Sequence, residues 1–242
     1  MKILLHAAIV VAMGAMSSTA FGQLIIAHRG ASHDAPENSL SAFKLAIVQG
    51  SDGLEADFHL TSDGKIACLH DKDTKRVSGK NLAVVNTPLA KLQTLDVGSW
   101  KGPRWKGEKM PTMEETLAAV PDGKMIFIEL KSSVEIVEPM AKAIEASALK
   151  PEQIVIISFH ADAIAECKKR LPRLKALWLC GYKKQEDGSF TPGVDEVAAT
   201  LKRIHADGFN SEARPEHFDA AFIERLRELG CSEFGVWTVD DP

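Results

Sequence analysis

The sequence predicts an α/β chain whose mostly parallel strands curl into a (β/α) barrel. Three observations predict it. Apolar, strand-like runs alternate with helical patterns, the order a parallel sheet requires. No G-x-G-x-x-G turn follows the first strand, so an open dinucleotide-type sheet fits less well. The polar residues collect where strands end, the face on which barrels carry their chemistry.

Each element follows from its own pattern. Residues 24–27 form a short apolar run, expected as a buried strand that ends in His28-Arg29-Gly30. A helix is expected over 39–49: Leu40, Phe43 and Ile47 share a face, Asn38 or Ser39 can cap it, and Gly50 can end it. Residues 53–60 read as a strand. Ser62-Asp63-Gly64 is a turn, and 65–69 return as a strand ending at His70-Asp71. Residues 72–110 lack a long periodic element and hold Trp100 and Trp105 among glycines and lysines. They are either a surface connection or a small insertion overhanging a site.

Thr112-Met-Glu-Glu115 is a capping box that opens the next helix. Residues 125–130 (MIFIEL) are nearly continuous apolar strand, as a parallel sheet demands. A second capping box, Ser132 to Glu135, predicts a helix to about Leu149. Then come strand 154–159, helix 161–170, strand 175–179, helix 194–205 and strand 206–210. A helix over 215–229 has Pro215 in its first turn and Gly230 beyond its end, and 236–239 is a last strand. The barrel strands therefore number seven, ending near Ala27, Asp57, Glu129, Phe159, Leu179, Asn210 and Val239.

With 242 residues, 45% of them hydrophobic and 26% charged, the chain has an ordinary globular balance and can bury a sizeable core. A net charge of −4 advertises no nucleic-acid binding. Residues 1–22 read as a signal peptide: Lys2, an apolar run from Ile3 to Met16, then small residues before cleavage at Ala20 or Gly22. The mature domain, 23–242, is then exported to the periplasm or secreted, with no membrane span left after cleavage. Cys68, Cys167, Cys180 and Cys231 are scattered in apolar contexts without metal-ligand spacing, and read as buried free thiols.

Side chains alternate along a strand, so Glu55 and Asp57 share one face while Leu54, Ala56 and Phe58 take the other. Two acids on one face of a central strand are either salt-bridged or hold a divalent cation. In MIFIELK, Ile128 and Leu130 should face the helices, leaving Phe127, Glu129 and Lys131 on the inner face. Three converging carboxylates make an all-oxygen site suited to Ca²⁺ or Mg²⁺. Lys131 is either a surface lysine or a phosphate contact. His28 and His70 end strands beside this site, and histidine titrates in the range useful to an acid and a base. Arg29 can clamp a phosphate. His59 is expected at the rim, facing solvent.

These residues resemble the glycerophosphodiester phosphodiesterase family. The likeness runs through His28-Arg29-Gly30, Pro36-Glu37-Asn38-Ser39 with Ala42-Phe43, Glu55-x-Asp57, Asp63-Gly64 and His70-Asp71. It continues with Pro111-Thr112-Met113-Glu114-Glu115, Ile128-Glu129-Leu130-Lys131, Ser158-Phe159 and Trp237-Thr238-Val239. The resemblance implies a TIM (β/α)8-type barrel with a small insertion after the second barrel strand, here about 72–110. It implies metal-dependent hydrolysis of small glycerophosphodiesters to an alcohol and sn-glycerol 3-phosphate. Carried over, Glu55, Asp57 and Glu129 would hold Ca²⁺ or Mg²⁺, and His28 and His70 would be the acid/base pair. Arg29 and Lys131 would hold the phosphate, and Trp237 would line the glycerol side. The family usually continues past Trp-Thr-Val with a helix and a strand, so this sequence reads as truncated before them. Two other readings are a phospholipase D-like relative acting on lysolipids or sphingolipids, and a non-catalytic truncated barrel.

Overall fold

A computed structural model describes residues 24–231 and 233–239. The expected signal peptide, 1–22, lies outside the described residues. The elements run β1 (Ile26–Ala27), α1 (Leu40–Val48), β2 (Gly53–Leu60), β3 (Ile66–Cys68), α2 (Lys75–Ser78), α3 (Leu89–Leu92), α4 (Met113–Ala118) and β4 (Met125–Leu130). They continue with α5 (Val137–Ala146), β5 (Ile154–Ser158), α6 (Ala161–Arg170), β6 (Lys175–Cys180), β7 (Lys183–Lys184), β8 (Phe190–Thr191), α7 (Val194–Ile204), β9 (Gly208–Glu212), α8 (Ala220–Glu228) and β10 (Glu233–Trp237).

Seven strands pair in parallel in the order β1-β2-β4-β5-β6-β9-β10 and curl as a partial barrel. β3 returns antiparallel on β2, as the Ser-Asp-Gly turn predicts. Alternation sorts the side chains into two layers. Leu54, Ala56, Phe58, Ile126, Ile128 and Leu130 pack outward against the helices in the main core. Val155, Ile157, Leu177 and Leu179 form an apolar interior with Phe127 and Trp237 packed on it. Residues 72–110 hold a core of their own, in which Val77, Val84, Leu92 and Met110 are buried. All four cysteines are buried and free.

Several boundaries differ from the sequence reading, each for a local reason. Leu24 and Ile25 are 56% and 67% exposed, and the strand begins only at Ile26. Ser132 and Ser133 form no capping box: the Ser132 hydroxyl accepts from Leu60 N at 3.0 Å and the Ser133 hydroxyl donates to Asp162 at 2.7 Å. α5 therefore starts later, after a 3₁₀ turn at Val134–Ile136. α8 starts at Ala220 because the Asp219 carboxylate caps Phe222 N at 2.9 Å, which no residue near Pro215 does. β9 and β10 are shifted by a few residues to 208–212 and 233–237. The β7–β8 hairpin had no expectation.

Candidate active site

The parallel register of β2 on β4 sets Asp57 directly beside Glu129. Glu55, two residues earlier, lies on the same face. One oxygen from each of Glu55, Asp57 and Glu129 lies within 4.8 Å of the others, and all three residues are buried. Lys131 reaches the same point, its Nζ 2.7 Å from Glu129 Oε1 and 3.4 Å from Asp57 Oδ1.

Three acids in one dry place disturb each other's titration. Burial first, then Asp57 and Glu129, push the Glu55 carboxyl well up. Burial first, then Asp57, raise Glu129 to about 7. Burial would also raise Asp57, but Lys131, His70 and Arg29 outweigh it and hold that carboxyl low. Even so, among the described residues Glu55 Oε1 and Asp57 Oδ1 are buried with no hydrogen-bond donor, the latter having only the Lys131 ammonium at ion-pair distance, 3.4 Å. Orphaned carboxylate oxygens are costly in a fold, and an oxygen-liganded hard cation is the partner that would satisfy them.

The loop after β1 faces this cluster. Arg29 takes a left-handed backbone conformation (φ 57°), and its N–H donates to Glu55 Oε2 at 2.8 Å. Its Nε lies 3.4 Å from Asp57 and has no acceptor, so it presents a free donor beside the acids. Gly30 is obligatory here: φ is +75° and a Cβ would meet the Ala42 backbone at 2.7 Å. His28 follows the first strand, its Nδ1 3.4 Å from the hydroxyl of Thr238, just past the seventh. Burial first, then Arg29, lower its pKa, so the ring is neutral at pH 7.

His70 sits just past β3, its Nδ1 2.8 Å from Asp71 Oδ1. His59 corrects the rim expectation. It is half-buried, and its Nε2 contacts the His70 carbonyl at 3.1 Å, tying β2 to the histidine segment. Trp237 packs edge-on against Phe159 at 5.4 Å and donates to the Asn210 carbonyl. It joins the apolar interior, on the seventh strand, while its neighbour Thr238 reaches His28.

Four residues of the site were missed as such by sequence reasoning. Asn38, considered only as a helix cap, instead donates to Asp57 Oδ2 at 2.7 Å and accepts from Asp57 N at 3.1 Å. Ser39 is the true cap. Arg76, from α2, forms two forks, one on Glu37 at 2.8 and 2.8 Å and one on Asp71 at 2.7 and 3.2 Å. Glu37 in turn accepts from Arg29 at 3.2 Å. Arg76 thus joins the His70 segment to the Arg29 loop and holds the Asp71 carboxyl down at about 2. The Pro36-Glu37-Asn38 and His70-Asp71 motifs were the available signals; nothing local pointed to Arg76.

The profile of the glycerophosphoryl diester phosphodiesterase family matches residues 28–242. A glycerophosphodiester phosphodiesterase of Caldanaerobacter subterraneus subsp. tengcongensis is 36% identical over 228 residues, 90% of this chain and 86% of that one. This chain belongs to the glycerophosphoryl diester phosphodiesterase family. It is an enzyme of that family, and the curled sheet is part of its α/β barrel. A probable glycerophosphodiester phosphodiesterase of Mycobacterium tuberculosis is 31% identical over 237 residues, 90% of this chain and 82% of that one. Two solved structures share the fold. One is an Oleispira antarctica phosphodiesterase in complex with the product sn-glycerol-3-phosphate: TM-score 0.80, 24% identity, 90% of this chain and 85% of that one. The other is a Thermotoga maritima glycerophosphodiester phosphodiesterase: TM-score 0.71, 25% identity, 91% and 88% covered.

Proposed function

We propose that this family member hydrolyses glycerophosphodiesters to an alcohol and sn-glycerol 3-phosphate, with Glu55, Asp57 and Glu129 holding a divalent cation, Ca²⁺ or Mg²⁺. The observation that carries the cation is the pair of buried carboxylate oxygens with no donor, Glu55 Oε1 and Asp57 Oδ1. An all-carboxylate donor set selects hard cations. A bound divalent ion supplies neutralisation of the charge that grows on the phosphoryl oxygens.

The remaining steps fall to side chains. Arg29 Nε and Lys131 Nζ bind and orient the phosphate, one from each side of Asp57. His28, neutral at pH 7, takes the proton from the attacking hydroxyl. His70, fixed through Nδ1 by Asp71, keeps Nε2 free to hand a proton to the departing alkoxide. Trp237 lines the glycerol side. Export is part of the same reading, carried by Lys2 and the apolar run behind it. Among the described residues no helix is long and apolar enough to cross a membrane.

The test is glycerol 3-phosphate release from glycerophosphocholine with EDTA, Ca²⁺ or Mg²⁺, beside His28→Ala and Glu55→Ala. Metal-restored release that both substitutions abolish is expected. Undiminished turnover in EDTA would sink the metal role. For export, mass spectrometry of the extracytoplasmic protein should find an N-terminus near residue 21 or 23; a retained Met1 would sink it.

A further inference from the structure

The proposed reaction leaves the insertion without a task. Residues 72–110 contain nine lysines and arginines against three acidic residues, a net of +6 in a chain whose total is −4. Two of these cations are placed against the catalytic loop. Lys101 Nζ donates to the Ser32 carbonyl at 2.7 Å and Arg104 to the Asp34 carbonyl at 2.6 Å. Both contacts dock the insertion onto the loop that carries His28 and Arg29. The insertion thus stands beside the first and second barrel strands, whereas Trp237, on the glycerol side, stands on the seventh.

We propose that the insertion is the subsite for the leaving alcohol and selects diesters whose alcohol bears a further anionic group, disfavouring cationic alcohols. The proposal rests on the phosphodiesterase reading above. Trp100 shows why a cation is a poor occupant. The residue is 40% exposed, the kind of surface a quaternary ammonium would seek. Two cations already lie over it, Arg76 at 5.7 Å and Lys101 at 5.6 Å from the centroid. Arg76 is paired with Glu37 and Asp71, but Lys101 has no ion pair among the described residues, so a further positive charge would meet repulsion from it where a negative one meets attraction. Trp105 is likewise covered, by Arg104 at 4.6 Å.

Arg76 is neutralised by the acids it binds, so the positive field is carried by Lys101 and the insertion's other lysines, which have no ion pair among the described residues. Glu37 and Asp71 are engaged by Arg76 and, for Glu37, also by Arg29. Glu108 is turned to the Ser41 hydroxyl at 2.7 Å, and Asp34 to Gln49 and His33. A cationic rim beside a binding cleft raises the local concentration of anions in a salt-dependent way.

The experiment is a charge ladder of three diesters at low and high salt: glycerophosphocholine, glycerophosphoglycerol and bis(glycerophospho)glycerol, whose alcohols are cationic, neutral and anionic. kcat/KM should climb by about threefold to tenfold from the first to the last at 20 mM salt, and the span should shrink severalfold at 0.5 M. Lys101→Gln should narrow the span without removing it, the fold being checked by circular dichroism. The wild-type salt series alone decides the matter if that variant misfolds. A ladder that is flat, reversed or independent of salt overturns the proposal while leaving the phosphodiesterase reading intact. Failure to cleave any of the three with either metal overturns the phosphodiesterase reading, and this inference with it.

Discussion

The two walls of the barrel contrast sharply. The wall formed by β2 and β4 presents Glu55, Asp57, Glu129 and Lys131 inward, while β5 and β6 present Val155, Ile157, Leu177 and Leu179. Both walls are built by the same alternation of side chains. One concentrates charge that opposes the metal-free fold; the other concentrates apolar area that supports it. The proposed charged chemistry thus sits on one side, and apolar burial is drawn from the other.

Substitutions should separate the two walls. Glu55→Gln is expected to lower kcat/KM by about 10³-fold or more, the loss of several kcal/mol of charge stabilisation. It should also raise the melting temperature of the metal-free protein, because it removes one of three mutually repelling acids. A fall in both would break the contrast. His70→Ala should cost about 10² to 10⁴ in kcat, typical of general acid–base catalysis, with little change in melting temperature. Arg76→Lys keeps the charge but cannot make two forks, so kcat should drop by about 10 to 100-fold and the pH–rate profile should shift. An unmoved profile would assign Arg76 to structure alone.

On the apolar wall, Leu177→Ala should destabilise the fold by about 2–5 kcal/mol and leave kcat/KM within about twofold, read by denaturant unfolding and steady-state kinetics. The smallest effect concerns pH. Burial, then Asp57, hold the Glu129 carboxyl at about 7 against an ordinary 4.5. A raised carboxyl favours the fold below the lower value, and that contribution is lost as pH rises through the higher one. The metal-free protein should therefore lose stability between these limits. The gain in melting temperature on adding Ca²⁺ or Mg²⁺ should grow over the same interval, because the cation competes with the proton. A metal-induced gain that is equal at about pH 5.5 and 8 would contradict the raised value.

How much of this was legible in the sequence follows the range of each signal. The acid triad was readable because period-two alternation within GLEADF and MIFIELK fixes a face, and parallel pairing brings faces together. The strands were readable as apolar runs. Of the two offered caps Ser39 takes the role, and the clamp of Asn38 on Asp57 went unread because a helix cap and a carboxylate clamp ask for the same residue. Arg76 was invisible because Glu37 is 39 residues away, and because Asp71, only five away, pairs with it across a break in structure that no helical or strand period spans. The start of α8 was misjudged because Pro215 suits a first turn, yet Asp219 supplies the bond that opens one.

The contact between His28 and Thr238, 210 positions apart, carries a consequence for the order in which the molecule becomes competent. The acids, the phosphate-facing cations and both histidines all lie within residues 28–131, so a growing chain carries its reactive inventory by its midpoint. It acquires the apolar wall that encloses them later, and the hydroxyl beside His28 later still. Until then the three acids stay hydrated and repel little. Their conflict arises when the second wall closes, so the cation proposed above would act on the last step of assembly rather than the first.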